Sequence, residues 1–153
     1  MPFRELITRM TQAACAGDGA GVAACFTPDG VYHDVFYGAF EGGDIARMIT
    51  DYFHRDAQDF RWDVHEAVSE GQTGLARYVF SFESRLDGCQ GNRALFEGAA
   101  VCVLKDGLIS HYSEIADTLT GQRMMGFSDP KMIRYIDRQT QALKARAECV
   151  SHL

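Results

Sequence analysis

The chain of 153 residues holds 15 basic and 21 acidic residues, giving a formal net charge of −6, and is 46% hydrophobic, 11% aromatic and 24% charged. That length suits one domain with a single core, and the composition excludes a disordered chain. The acidic balance, with no Lys/Arg-rich run, excludes a nucleic-acid binder, and no apolar run approaches the ~20 residues that span a bilayer.

The start, Met1 to Leu6, lacks the apolar segment of a secretory signal. The five cysteines (Cys15, Cys25, Cys89, Cys102, Cys149) are odd in number, widely spaced and without a CxxC pair. They predict reduced thiols that fill a core in a cytoplasmic protein, neither a disulfide framework nor a zinc site.

Phe3, Ile7, Met10 and Ala14 recur at helical spacing, predicting an amphipathic helix over residues 3–16 that Gly17 ends. Asp18 is placed to cap a second short helix over residues 20–26. Thr27-Pro28-Asp29-Gly30 reads as a turn, and residues 31–38 as a short strand rich in aromatic and β-branched residues. Glu41-Gly42-Gly43-Asp44 breaks that strand, with Asp44 as the cap of a third helix. Ile45, Met48, Ile49, Tyr52 and Phe53 form its apolar face.

From Phe60 the period changes to two. Residues 60–70, 74–85, 93–105 and 108–116 read as long strands, antiparallel because residues 86–92 and 105–107 connect them tightly. A short helix over 118–125, stopped by Gly126, precedes a last helix that starts at Ser128-Asp129-Pro130 and runs to about residue 147. Helices grouped against an antiparallel sheet define an α+β domain. The predicted organisation is a barrel-like domain over 1–127 and a helical extension of it over 128–153.

Alternation on the strands selects the candidate site. Tyr32, Asp34 and Phe36 share one face of their strand, so Asp34 is either a pocket carboxylate or the partner of a turn near Gly38. Glu114 shares a face with Tyr112 and Ala116, and two nearby carboxyls would push their pKa values apart into one acid and one base. Tyr32 is placed to donate a hydrogen bond to a substrate oxygen. Tyr37, Phe53, Trp62, Phe96 and Tyr112 are candidate pocket walls. Arg77 either neutralises Glu114 or a substrate anion or forms a surface ion pair. His33 and Asp34 face opposite ways and match no metal motif, so no metal is expected. Apolar residues on both faces of the long strands, such as Val101 and Val103 against Cys102 and Leu104, predict a homodimer that covers the outer face of the sheet.

Two segments carry a family resemblance. Ala16-Gly17-Asp18 through Ala24-Cys25-Phe26-Thr27-Pro28-Asp29-Gly30-Val31-Tyr32-His33-Asp34 is one, and residues 104–117 with the following helix are the other. Over roughly residues 3–127 the chain resembles the nuclear transport factor 2-like, SnoaL-like superfamily. The resemblance implies a cone-shaped α+β fold in which a curved antiparallel sheet wraps around N-terminal helices, here with an extra C-terminal helix. It implies a hydrophobic pocket and chemistry without a cofactor.

Asp34 falls where steroid isomerase-like members keep a general base, although Met10 and Gly98–Ala99 occupy their oxyanion-hole positions. Tyr32, Asp34, Arg77 and Glu114 fall at active-site positions of limonene epoxide hydrolase-like members, with Val79 where an acid is expected. His65 matches a catalytic histidine of scytalone dehydratase-like members, and His111-Tyr112-Ser113-Glu114 the region of the base in polyketide cyclases. The resulting expectation is an enzyme that isomerises, dehydrates or cyclises a small apolar or polyketide-like molecule. Asp34, Glu114, His65 and Tyr32 would be catalytic. The alternative is a protein that binds a small hydrophobic ligand without reacting it.

Overall fold

In the computed structural model, which describes residues 1–153, helix α1 (Phe3–Ala16) turns Phe3, Leu6, Ile7, Met10 and Ala14 into the core. Truncating such a buried Leu or Ile to Ala costs about 2–5 kcal/mol. Gly17 ends the helix in the left-handed region (φ 74°), its N–H returning to the carbonyls of Ala13 and Ala14. The His54 Nε2, 2.8 Å from the Ala14 oxygen, ties the same end to the second helical layer. Helix α2 (Gly19–Ala23) is capped by the Asp18 side chain, which accepts from the Gly21 N–H at 2.8 Å.

Six strands form one curved, unclosed sheet: β1 (Phe26–Asp34), β2 (Gly38–Glu41), β3 (Ala57–Glu70), β4 (Thr73–Ser84), β5 (Arg93–Lys105) and β6 (Leu108–Ala116). Their spatial order is β2-β1-β6-β5-β4-β3. Between β2 and β3 lie α3 (Asp44–Met48), a π-helical turn (Ile49–Phe53) and α4 (His54–Asp56). Helix α5 (Thr118–Met124) follows β6, and α6 (Asp129–Lys144) runs out to a short 3₁₀ segment (Ala147–His152). The concave face of the sheet and the N-terminal helices enclose one core, with Cys25 and Cys102 among its fully buried residues. No helix is long and apolar enough to cross a membrane.

The α+β cone expected from the sequence is present, with five differences of detail. Thr27-Pro28-Asp29-Gly30 is part of β1 rather than a free turn. The register with β6 moves from Phe26 opposite Ile109 to Val31 opposite His111, so the extra β1 residues bulge out and hold Pro28, which has no N–H to donate. Helix α2 correspondingly stops at Ala23. The strand predicted over 31–38 ends at Asp34, and the chain turns back into β2, pairing Asp34 with Gly38. Asp44 is the first residue of α3, not its cap, because Gly43 is already helical. Finally, β1 runs parallel to β6, which makes the sheet mixed.

Candidate active site

The parallel pairing of β1 with β6 places Tyr32 beside Tyr112, their ring centroids 4.5 Å apart. Two residues further along each strand, on the same inward face, stand Asp34 and Glu114. Asp34 is 5% exposed, and its Oδ1 accepts from the backbone N–H of Phe36 at 2.7 Å and of Tyr37 at 3.0 Å. Those two bonds form the turn that ends β1, so one carboxylate oxygen shapes the backbone while Oδ2 accepts from no protein donor. Glu114 is half-buried and accepts a short hydrogen bond from the Tyr112 hydroxyl.

Tyr78 reaches the same place from β4. Its cross-strand partner is Gly98, and a Cβ there would sit 2.5 Å from the Tyr78 hydroxyl and 2.8 Å from the Ala116 Cβ. The missing side chain is what lets the phenol lie flat across β5. The hydroxyls of Tyr32 and Tyr78 and the indole N–H of Trp62 are buried without a hydrogen-bond partner. Unpartnered buried donors are costly, and such groups collect where a protein must bind a polar atom from outside.

Burial raises both carboxyls, and their surroundings then separate them. For Glu114, desolvation and the nearby charge of Asp34 push the pKa up to about 8, against the opposing hydrogen bond of Tyr112 and the influence of the neighbouring Tyr78 phenol. Asp34 is raised by desolvation, but its two backbone N–H bonds and His33 favour the charged form. The first ionisation of the pair therefore belongs to Asp34, and Glu114 retains its proton into the neutral range. Desolvation drives the phenols of Tyr32, Tyr78 and Tyr112 upward, with the Glu114 charge next in weight, so all three stay neutral donors.

Asp34 and Glu114 share an internal cavity of about 20 Å³ with Trp62, Tyr78, Phe80 and Phe96, about the room one water molecule needs. Phe36, Phe53 and Phe80 link it to an apolar pocket of about 140 Å³, walled also by Phe60, Phe82 and Met125. On the other side, Asp34 and Glu114 line a polar cleft of about 470 Å³ beneath α6. Phe36 borders all three spaces.

Most of the residues singled out in the sequence converge here. Asp34, Glu114, Tyr32 and Tyr112 form the polar cluster. Trp62, Phe53 and Phe96 wall the internal cavity, with Phe53 stacked on Phe60 at 4.5 Å. Tyr37 lines the apolar pocket and donates its hydroxyl to Asp56 at 2.8 Å. His65 and Arg77 do not join them. His65 shares the outward face of β3 with Asp63, opposite the inward Trp62 and Val64, and its carbonyl accepts from Arg4 at 2.9 Å. The bulge that follows brings Ala67 inward and leaves His65 exposed. Arg77 points outward from β4 and pairs with Glu66 at 2.5 Å and Glu97 at 3.6 Å. Sequence reasoning passed over Tyr78, Phe60, Phe80 and the α6 residue Tyr135. The signal for Tyr78 was available: Gly74, Ala76, Tyr78, Phe80 and Phe82 alternate along β4, and that row faces the core.

The profile of the SnoaL-like domain matches residues 7–112, and the chain belongs to that family. No curated protein matches the chain. Among solved structures, a hypothetical protein of ketosteroid isomerase-like fold from Catenulispora acidiphila, in complex with trimethylamine, superposes with a TM-score of 0.72 at 14% identity, covering 81% of this chain and 94% of that one. IdmH from Streptomyces antibioticus, a proposed polyketide cyclase, gives 0.66 at 18% identity, covering 81% and 98%. An LEH-like epoxide hydrolase from M. tuberculosis gives 0.63 at 19% identity, covering 79% and 86%. These likenesses show a shared fold.

Proposed function

We propose that the protein is an acid–base enzyme that moves a proton next to the carbonyl of a small, mostly apolar ketone or polyketide-like molecule, without a cofactor. The observation that carries this reading is the pair Asp34 and Glu114, in one cavity but in unlike environments. In the proposed step, the Asp34 carboxylate takes a proton from the carbon beside the carbonyl, and the electron pair of that C–H bond moves onto the carbonyl oxygen. Glu114, neutral and bearing its proton, and the partnerless hydroxyls of Tyr32 and Tyr78 donate hydrogen bonds to that oxygen. Return of the proton to a different carbon isomerises the substrate. Attack of the carbanion on a second carbonyl, with a proton delivered to the new alkoxide, gives aldol cyclisation. Departure of a β-hydroxyl, protonated as water, gives dehydration. Trp62, Phe36, Phe53 and Phe96 keep the site dry, which holds Glu114 in its acid form. His65 has no part in this reading.

The test is proton–deuterium exchange at the α-carbons of 2-tetralone in D₂O, followed by NMR. Acceleration over buffer that is lost in Asp34→Asn and reduced in Glu114→Gln supports the reading. Exchange no faster than buffer leaves the second reading, a binder of hydrophobic ligands. The apolar pocket favours that alternative, since Asp56 is the single non-hydrophobic residue among its eleven lining residues.

We propose as well that a second copy covers the outer face of the sheet, where Val68, Leu75, Leu95, Val103 and Ile115 are exposed.

A further inference from the structure

Helix α6 buries no residue, yet it stays against the body at the mouth of the site. Tyr135 holds it there: its hydroxyl lies 2.7 Å from Thr118 Oγ1 and its ring centroid 6.1 Å from that of Phe36. The Gln139 amide donates to the Val35 carbonyl at 3.4 Å. Tyr135, Arg138, Gln139 and Ala142 follow one another at helical spacing, and with Arg146, two residues past the end of α6, they line the cleft of about 470 Å³ that also contains Asp34 and Glu114. The other basic residues near the site are engaged: Arg55 with Asp56, Arg85 with Gln58 and the His54 carbonyl, and Arg93 with Asp59. The side chains of Arg138 and Arg146 form no ion pair and no hydrogen bond, Arg146 bonding only through its backbone. In a chain of net charge −6, two unpaired guanidiniums facing the cleft of Asp34 and Glu114 stand against the overall sign.

We infer that Arg138 and Arg146 form an anion-binding rim, and that the ligand of this pocket is an amphiphile: an apolar ring or chain held among the aromatic side chains, bearing a carboxylate, sulfonate or phosphate that projects into the cleft under α6. Guanidinium groups suit such planar or tetrahedral oxyanions because they present paired N–H donors. Phe36, which borders the apolar pocket and the cleft alike, sets the two parts of the site side by side. The rim also gives the added helix a use: without α6 the cleft would have no positive wall. This inference rests on the pocket reading above and adds the charge of the ligand to it.

Two dyes with the same ring system separate the terms: 8-anilinonaphthalene-1-sulfonate and the uncharged N-phenyl-1-naphthylamine, titrated by fluorescence against the full chain. The wild type binds the sulfonate more tightly. Arg138→Gln with Arg146→Gln weakens the sulfonate roughly tenfold, and leaves the neutral dye within about twofold. A control, Arg134→Gln with Lys144→Gln, removes the same charge from α6 outside the cleft and leaves both dyes within about twofold. All four substituted residues are exposed, so the fold tolerates the changes. Equal affinity of the wild type for both dyes, or equal weakening by the two double variants, overturns the rim and leaves the pocket reading standing. Binding of neither dye overturns both.

Discussion

Asp34 and Glu114 hold equivalent positions on adjacent parallel strands, each two residues beyond the paired Tyr32 and Tyr112. An antiparallel pairing of β1 with β6 would have sent the two carboxyls to opposite ends of the cone. The parallel pairing sets them side by side, where burial raises both and the charge of Asp34 raises Glu114 further.

A buried carboxyl with a raised pKa makes stability fall with rising pH. Glu114 holds its proton to about 8 in the folded protein, against an ordinary 4.5. The folded state thus binds more protons than the unfolded chain between these values. Its extra stability is full below the lower value, is lost as pH rises through the upper one, and then levels off. Urea unfolding from pH 5 to 8.5 is expected to show a loss on the order of 3 kcal/mol. Glu114→Gln removes that slope. Parallel curves for the two proteins would contradict it.

The three phenols are expected to behave differently when their hydroxyls are removed. Tyr112→Phe deletes a hydrogen bond to a partly buried carboxyl, which costs about 1–3 kcal/mol and raises Glu114 further, since that bond lowers its pKa. Tyr78→Phe and Tyr32→Phe delete hydroxyls that have no partner, so stability changes by less than about 1 kcal/mol, in the stabilising direction if at all. Both nevertheless slow tetralone exchange. Loss of several kcal/mol in either would show a structural bond instead.

Gly98→Ala tests the packing that positions Tyr78. Its Cβ would lie 2.5 Å from the Tyr78 hydroxyl, so the phenol must move. Destabilisation of about 1–3 kcal/mol is expected. Pairing with Tyr78→Phe relieves part of it, because the clash is with the hydroxyl first. A double variant no better than Gly98→Ala would place the strain on the ring carbon Cζ of residue 78 and on Ala116, 2.7 and 2.8 Å from that Cβ.

For the outer face, size-exclusion chromatography with light scattering is expected to give about twice the 17.0 kDa chain mass for the wild type. Ile115→Glu and Leu75→Glu, both at exposed positions, are expected to give the chain mass itself. A wild-type protein that elutes at the single-chain mass at micromolar concentration contradicts the proposed dimer.

Regular periodicity was readable in the sequence, whereas its interruptions were not. The bounds of α1, β5 and β6 follow from uninterrupted patterns of three to four or of two, and the inward face of Glu114 follows from Tyr112. The bulge after Val64, which turns Ala67 to the core, leaves no mark in the alternation, and His65, on the outward face with Asp63, was singled out by the resemblance alone. The parallel pairing of β1 with β6 is a long-range choice that short connections do not reveal. The inward face of Tyr78 follows from the alternation of β4, but its lie across Gly98 depends on a pairing set by register. Arg138 lies on α6 and Arg146 just past its end, and the placement of both rests on Tyr135, one side chain among sixteen helical residues.

The measurement that tests the account most directly is the carboxyl titration of Glu114 by carbon-detected NMR, in the wild type and in Asp34→Asn. The account predicts a wild-type pKa near 8, with a fall in the variant, because the charge of Asp34 is one of the two causes that raise it. A value near the ordinary 4.5, unchanged by Asp34→Asn, would mean that the two carboxyls neither share a dry site nor sense each other, and the proposed acid–base pair would be wrong.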